Sequence, residues 1–525
     1  MYQCPNCSGN MKFYIPSQML RCDYCETEMD PYAFHKEKDA EESTYFDVTV
    51  FTCPQCGGEL LSTENEATAF CSFCGASNIL TSRLSTEKRP TYIVPFQKTK
   101  EDCKKAFAKM MKGAIYAPKE LKDPDRIDGF RGIYMPYWFY NISQQGPADI
   151  KASKTYRRGD YMISDYYDLS CEIDGEYNGI PYDGSSSFAD NLSQAIAPYD
   201  VRKAKAFSPA FLSGFYADTA DVDKELYRTD ALEIATDTTY DKLKKTPEFK
   251  GFSLQASDDT MAKAYAINSR CASIDSAMLP VWFLSYRKGD RVAYATVNGQ
   301  TGKVAADLPI DSKKYLFGSV LTAIPIFILL NMFFTVIPSV ALIFSMVLAV
   351  VALILYSVEL SQIKRKDAGT DDKGLMSKKQ FDESQPVEKK KKKQKKNSAL
   401  GIFIIIVFFA NTMVPLIVTM ITLFAKYLWV AALAGGIAAS IVIGNNLKGL
   451  QLSKKRYGYI GAIASIIIST LVLVLNPVAD AIYYAGVIVS IIAIFFSISD
   501  LIYYYNILAT RRLPQFDHTG GDDRA

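Results

Sequence analysis

Residues 315–357 read YLFGSVLTAIPIFILLNMFFTVIPSVALIFSMVLAVVALILYS, and the reading of this stretch decides the fold. It contains no charged side chain, its main break is Pro338, and Pro325 lies mid-run, where a kink accommodates it. At about 1.5 Å per helical residue the run can cross a ~30 Å hydrocarbon core twice. A backbone in lipid must satisfy its own hydrogen bonds, so helices are the expected form. The spacing predicts a helical hairpin over 315–358, turning at Pro338 and Ser339. Two further runs repeat the design, 399–445 bent near Lys426 and 459–505 bent near Asn476 and Pro477. The expectation is an all-α membrane domain of six transmembrane helices in three hairpins. Buried helices of a soluble core are the competing reading, and three charge-poor runs of double length weigh against it.

Basic residues set the expected orientation. Lys313 and Lys314 precede the first span, and Lys448, Lys454, Lys455 and Arg456 follow the fourth. Arg511 and Arg512 follow the sixth, before a tail at 506–525. The loop 361–397 holds thirteen Lys and Arg against six Asp and Glu. Within the hairpin turns Lys426 alone dissents. The excess of positive charge on one side predicts a multi-pass membrane protein with both termini and both long loops in the cytoplasm. In the 361–397 loop, Lys389 through Lys393 with Lys395 and Lys396 are expected to attract anionic lipid as well as to fix topology. Asn331, Asn411 and Asn476, each followed by a proline, suggest three diverged copies of one hairpin, lining a pore or knitting helices together.

Eight of the eleven cysteines fall in the first 74 residues. Cys4, Cys7, Cys22 and Cys25 form two CxxC pairs fourteen residues apart, and Cys53, Cys56, Cys71 and Cys74 repeat the arrangement at a 49-residue offset. Each CxxC turns two thiolates toward one point, and two such knuckles complete a tetrahedral sulfur site. A unit this small buries too little apolar surface to fold alone, so the metal supplies folding energy. The expectation is two tandem Cys4 zinc ribbons, 1–30 and 51–80, each with one structural Zn2+, joined by a linker over 31–50. Disulfides are the alternative that a cytoplasmic setting disfavours, and thiolates alone do not separate zinc from iron.

Residues 1–89 hold seven Lys and Arg against thirteen Asp and Glu, the wrong field for phosphate backbones. Nucleic acid is therefore disfavoured as a partner of the ribbons, and a protein contact is expected. No cleavable leader is expected, because the chain goes straight into the first CxxC. No enzyme is expected. The two histidines, His35 and His518, assemble no catalytic set. Cys103, Cys171 and Cys271 are isolated, and Asn298-Gly-Gln-Thr-Gly-Lys303 lacks the spacing of a nucleotide loop.

Between ribbons and spans, 81–310 reads as an α+β, β-rich cytoplasmic domain, with 81–93 still linker-like. Thr99 to Asp102 resembles a capping box before an amphipathic helix, and 221–246 is expected to be helical. Residues 291–306 predict a hairpin turning at Asn298-Gly299. Residues 132–140 and 276–285 share the pattern apolar-Pro-apolar-Trp-Phe-apolar, with Pro136 expected at an edge or bulge. These two segments predict an internal duplication into two related sub-units.

With these stretches in view, the chain resembles the bacterial membrane proteins called transcription-factor-IIB-type zinc ribbon-containing proteins. The matching segments are the CxxC pairs, Tyr92-Ile-Val-Pro-Phe96, Arg131-Gly-Ile-Tyr-Met-Pro-Tyr-Trp138, Ser208-Pro-Ala-Phe-Leu-Ser-Gly-Phe-Tyr216, Met278-Leu-Pro-Val-Trp282 and Asn298-Gly-Gln-Thr-Gly-Lys303. The resemblance implies four cysteine ligands per ribbon and work beside phage-shock and SPFH-type scaffold proteins in membrane stress. A helicase label carried by some members finds no motif in this chain. The functional expectation is a membrane-embedded adaptor or scaffold that recruits a cytoplasmic protein partner. A transporter or channel with a zinc-ribbon regulator is the alternative, and a nucleic-acid-binding membrane protein the third.

Overall fold

The computed structural model describes residues 2–33, 45–62, 71–75, 81–123, 127, 129–188, 190–254, 259–288, 291–333, 337–368, 429–450 and 455–512. The expected third span, the lysines 389–396, Asn411 and both histidines lie outside the described residues.

Among the described residues, sixteen strands form two sheets. The small one comprises β1 (Met11–Tyr14), β2 (Met19–Cys22) and β3 (Glu28–Met29). The large one begins with β4 (Tyr45–Thr52), β5 (Glu59–Ser62), β6 (Thr81–Lys88), β7 (Tyr92–Ile93), β8 (Arg131–Arg158) and β9 (Tyr161–Asp183). It continues with β10 (Lys205–Ala206), β11 (Tyr216–Ala217), β12 (Ser253–Leu254), β13 (Ser269–Lys288), β14 (Arg291–Asn298), β15 (Val304–Ala306) and β16 (Arg511–Arg512). Four helices pack around it: α1 (Lys100–Gly113), α2 (Asp190–Ile196), α3 (Arg228–Lys245) and α4 (Thr260–Ala266). The apolar helices are α5 (Ser312–Phe333), α6 (Pro338–Ala368), α7 (Trp429–Lys448), α8 (Tyr459–Leu475) and α9 (Asp480–Leu508).

β8 and β13 pair antiparallel at the centre, with Met135 opposite Leu279. Ile133, Met135, Tyr137 and Phe139 bury against one face, while Tyr134 buries against the other. A strand covered on both sides needs no polar face, which accounts for the continuous apolar runs. The two shared motifs thus lie side by side and run in opposite directions. Pro136 sits neither at an edge nor at a bulge. On its flank, β11 pairs through Tyr134 and β9 begins at Tyr137. Pro280 has the matching place in β13, between β7 at Met278 and β14 from Val281. Each proline falls in a gap of the ladder, where a missing N–H costs no hydrogen bond.

Residues 45–50 and 81–88, expected as linker, belong to β4 and β6, which pair with each other. β5 pairs with β11, so the second cysteine unit is built into the large sheet and does not hang beside it. The capping box at Thr99 and Asp102 is present, and the 291–306 hairpin closes with Gly302 N–H on the Asn298 carbonyl at 2.8 Å. Helix α3 starts later than expected. The Val222 and Lys224 carbonyls accept from the Trp138 indole and the Tyr140 hydroxyl, which holds 221–227 out of the helix.

Five of the motif segments meet at one ring. Phe96 stacks on Phe215 with centroids 4.4 Å apart and meets Tyr134 and Trp282 edge-on at 4.9 and 5.2 Å. Gly132 and Gly299 leave its space free, since a Cβ at Gly132 would lie 2.5 Å from the Phe215 ring, and one at Gly299 2.6 Å from Phe96.

Among the described residues three helices are long and apolar enough to cross a membrane, Pro338–Arg365, Trp429–Lys448 and Asp480–Leu508. Their outer faces carry Leu348, Leu355, Ile491 and Phe496, each more than half exposed. So many exposed large apolar groups call for lipid rather than water. Helix α8 is apolar but has 17 residues, and it ends at Asn476 in the left-handed region, which asparagine tolerates. Asn476 accepts from Tyr483 at 2.9 Å and belongs to the turn. Gly486, Ser490, Ala493 and Ser497 bury along one side of α9, and both serines return hydrogen bonds to their own helix. Small residues of this kind allow close helix contact. Asp500 is buried near the end of α9: its carboxylate accepts from Gly458 N–H at the start of α8 and meets Arg456 at 3.5 Å.

The sheet and α9 are joined by polar contacts. Arg291 donates to the Thr510 hydroxyl at 2.7 Å and the Ile507 carbonyl at 2.6 Å. Asn506 exchanges two hydrogen bonds with the Ile310 backbone, at 2.7 and 2.8 Å. Beyond α9, β16 adds to β14 as a further strand.

Gly132→Ala tests the Phe96 packing. The added methyl forces the Phe215 ring aside, and overpacking of this kind costs about 1–3 kcal/mol. A lowered midpoint in thermal unfolding of the purified chain is expected, with metal content unchanged.

Candidate metal centres

Each cysteine pair sits on the same local device. After the first cysteine, the amide four residues on bonds back to its carbonyl: Ser8 to Cys4 at 2.8 Å, Glu26 to Cys22 at 3.1 Å, Gly57 to Cys53 at 2.8 Å and Gly75 to Cys71 at 3.0 Å. All four closing residues have positive φ, from 58° to 77°. Two are glycine, which takes that conformation freely, and Ser8 and Glu26 take it at some cost. The turn leaves amides aimed at sulfur: Asn6 and Cys7 bond Cys4, Gly9 bonds Cys7, and Thr27 bonds Cys25. Such donors favour the thiolate. The Thr27 hydroxyl and amide together bring Cys25 down to about 6.

The eight expected ligands gather as two groups of four, each with its sulfurs within 4.8 Å of one another. In the first group Cys4 lies 3.5 Å from Cys25, and Cys7 lies 3.4 Å from both Cys22 and Cys25. In the second, Cys53–Cys74 and Cys56–Cys71 are both 3.7 Å. Four thiolates held about 2.3 Å from one zinc stand about 3.8 Å apart, whereas a disulfide closes to about 2.05 Å. The spacing fits four ligands around a metal ion, and the donor set is consistent with zinc. With the thiols this close, a hydrogen bond from Cys56 pulls Cys53 down, and the Cys53 thiolate pushes Cys56 and Cys71 up.

The surroundings of the two groups differ. In the first, Cys4 and Cys22 are buried while Cys7 and Cys25 are exposed. Its hairpin docks through Phe13, whose amide bonds the Ser213 carbonyl at 3.0 Å and whose ring packs on Phe211 at 5.2 Å. Gln18 ties the same hairpin to the Phe96 carbonyl at 2.7 Å. In the second group all four cysteines are buried. Phe73, Phe283 and Tyr294 pack around them. Tyr294 donates to the Phe73 carbonyl at 2.6 Å, and Arg287 donates to Gln55 at 2.9 Å. The two groups contact opposite faces of the large sheet.

No family model matches the chain, and no solved structure matches it. It is 30% identical over 320 residues to a Bacillus subtilis (strain 168) protein described as "Uncharacterized protein YdjG". That match covers 60% of this chain and 91% of the relative. The chain belongs to the YdjG family.

Other polar residues of this YdjG-family chain are taken up by the fold. In the Asn298 to Lys303 turn, Asn298 accepts from the amides of Gln300 and Thr301 and donates to the Ile196 carbonyl, each at 2.9 Å. Lys303 donates to the Ala197 carbonyl, so the turn clasps the loop after α2. Cys103 is fully buried beneath α1, and burial pushes its thiol up. Tyr294, Arg287 and Gln55 carried no signal in the sequence, because their partners lie more than two hundred residues away.

One buried carboxyl also escaped the sequence reading. Asp218 accepts from Ser185 at 2.6 Å, from Ser187, and from the Thr219 amide at 3.0 Å. Burial nonetheless raises it to about 6, against the lowering by these donors.

Two predictions follow from these sites. Purified without chelator, the chain is expected to hold two metal ions, and a chelator titration followed by native mass spectrometry should remove one first. Cys7→Ser with Cys25→Ser should lower the content to one ion and leave the large sheet folded. Cys53→Ser with Cys56→Ser should unfold it, because the buried ligands then lose the metal on which that corner of the core is built. For Asp218, the folded state binds the proton more tightly than the unfolded chain. Its contribution is therefore present below the ordinary carboxyl range and lost as pH rises through about 6. Asp218→Asn should flatten denaturation midpoints between about pH 4 and 6, by on the order of 2 kcal/mol.

Proposed function

We propose that this chain is a zinc-binding integral membrane protein that works as an adaptor, recruiting a protein partner to the cytoplasmic face of a bacterial membrane. In this reading its helices form six spans in three hairpins, with both termini inside. The large sheet comprises two related sub-units around the β8–β13 pair. Both cysteine groups hold structural zinc as ribbons of the transcription-factor-IIB type.

One observation carries the adaptor reading. The first cysteine unit presents Cys7, Cys25 and the 80% exposed Tyr24 on the outside of a domain bonded directly to α9. A rigid, exposed metal knuckle fixed to a membrane anchor suits recognition of another protein. The negative charge of residues 1–89 turns nucleic acid away and suits a partner with a basic or neutral face. A scaffold protein of the phage-shock or SPFH kind fits this role in membrane stress. Attraction of anionic lipid by the lysines 389–396 would hold the loop close to the surface.

The test is affinity recovery of the full chain from detergent-solubilised membranes, comparing wild type with Tyr24→Ala and Cys7→Ser/Cys25→Ser. A specific partner present with wild type and lost with both variants is the expected result. Equal recovery from all three would remove the first ribbon from recognition.

A further inference from the structure

One cavity used by neither the metal centres nor the adaptor reading is lined by several charged side chains. It lies where the sheet meets the helices and has a volume of about 700 Å³. Glu120, Arg291, Asp311, Lys313, Arg456 and Tyr503 line it. Its walls are the first residues of α5 and the last turns of α9. The exposed apolar side chains Leu316, Phe317 and Phe496 begin just beyond it. If α5 and α9 cross a bilayer, this is the height of the lipid headgroups.

The cations are placed for an anion. Arg456 is held from three sides: Nη1 meets Asp500 at 3.5 Å, the guanidinium stacks over Tyr503 at 4.2 Å, and its backbone N–H and carbonyl both bond the Tyr504 hydroxyl. Asp500 thus engages one end of the fork, and the other donors remain for a ligand. The Lys313 ammonium is exposed and has no ion partner among the described residues. Arg291 is fixed by its bonds to Ile507 and Thr510 and adds its charge to the field. Of the two acids, Asp311 is already occupied by the amides of Lys313 and Lys314 at 3.0 and 3.3 Å. With Asp500 on Arg456, the three cations face three acids, so the site offers the remaining donors of Arg456 and the exposed Lys313 ammonium rather than an excess of charge.

We propose that this cavity binds the phosphate of an anionic phospholipid headgroup, with Arg456 and Lys313 as its direct contacts. The proposal rests on the membrane reading and adds a specific lipid site to it.

The experiment uses the full chain and begins with alkaline carbonate washing of membranes. Release of the chain into the wash overturns the membrane reading and this site with it. When the chain stays, it is purified in detergent and titrated with phosphatidylglycerol, phosphatidylcholine and inorganic phosphate, with binding read by native mass spectrometry. Wild type should retain phosphatidylglycerol over phosphatidylcholine. Lys313→Ala should weaken retention several-fold, and Lys313→Ala with Arg456→Gln by about tenfold or more. Because Arg456 also braces Asp500, Lys313→Ala alone carries the conclusion if the double variant loses its thermal transition. Unchanged retention in Lys313→Ala, or displacement of the lipid by inorganic phosphate, overturns the site and leaves the membrane reading standing.

Discussion

The packing around Phe96 is the constraint on which the rest of the sheet domain depends. One ring touches the centre of β8 through Tyr134 and of β13 through Trp282, and the 208–216 loop through Phe215. Phe211 and Phe215 in turn carry Phe13 of the first cysteine unit. Phe96 therefore links a metal-binding hairpin, both central strands and the Asn298 turn in one contact set. Aromatic rings bury large areas and tolerate few relative orientations, so such a set fixes position as well as adding stability. The two glycines beside the ring are part of the same constraint, because each leaves a space that any side chain would fill.

The two cysteine groups show how one local motif serves two roles. The knuckles are nearly identical, with the same back-bonded turn and the same positive φ at its close. What differs is the strand pair each closes. β1 and β2 form a small sheet that reaches the core through one face, leaving Cys7 and Cys25 outside. β4 and β5 join the large sheet, and the core closes over their knuckles. A metal bound by the first group would hold a surface hairpin together, and one bound by the second would hold a corner of the domain core.

The parts legible in the sequence were those that act over a few residues. CxxC spacing located both ligand groups, the Thr99 to Asp102 box marked a helix start, and Asn-Gly placed a hairpin turn. Charge-poor runs marked the apolar helices, of which the described residues show three long enough to cross a membrane. Illegible parts were pairings across long stretches of chain. Nothing in the polar stretch 81–88 announces a strand until its partner is known, whereas the aromatic and β-branched residues of 45–52 carry a strand signal that the charged flank at 36–44 masked. Asp500 looks water-exposed from its place near a helix end, and only the arrival of Gly458 buries it. Pro136 reads as an edge signal, yet the large sheet accommodates it internally because two flanking strands stop and start around it.

The β13–β14 hairpin ties these themes together. Its distal part, from Phe283 to Tyr294, touches the second cysteine group through Phe283, Arg287 and Tyr294. The same end carries Arg291, which grips the last turn of α9, and its free edge accepts β16. A metal centre and a helix long enough to span a bilayer are thus attached to adjacent residues of one short hairpin. A hairpin pinned at both sides transmits displacement poorly through bending and well as a rigid unit. The same hairpin also reaches the first cysteine unit, because Trp282 meets Phe96, Phe96 stacks on Phe215, and Phe215 packs on Phe13 from the opposite face of the sheet.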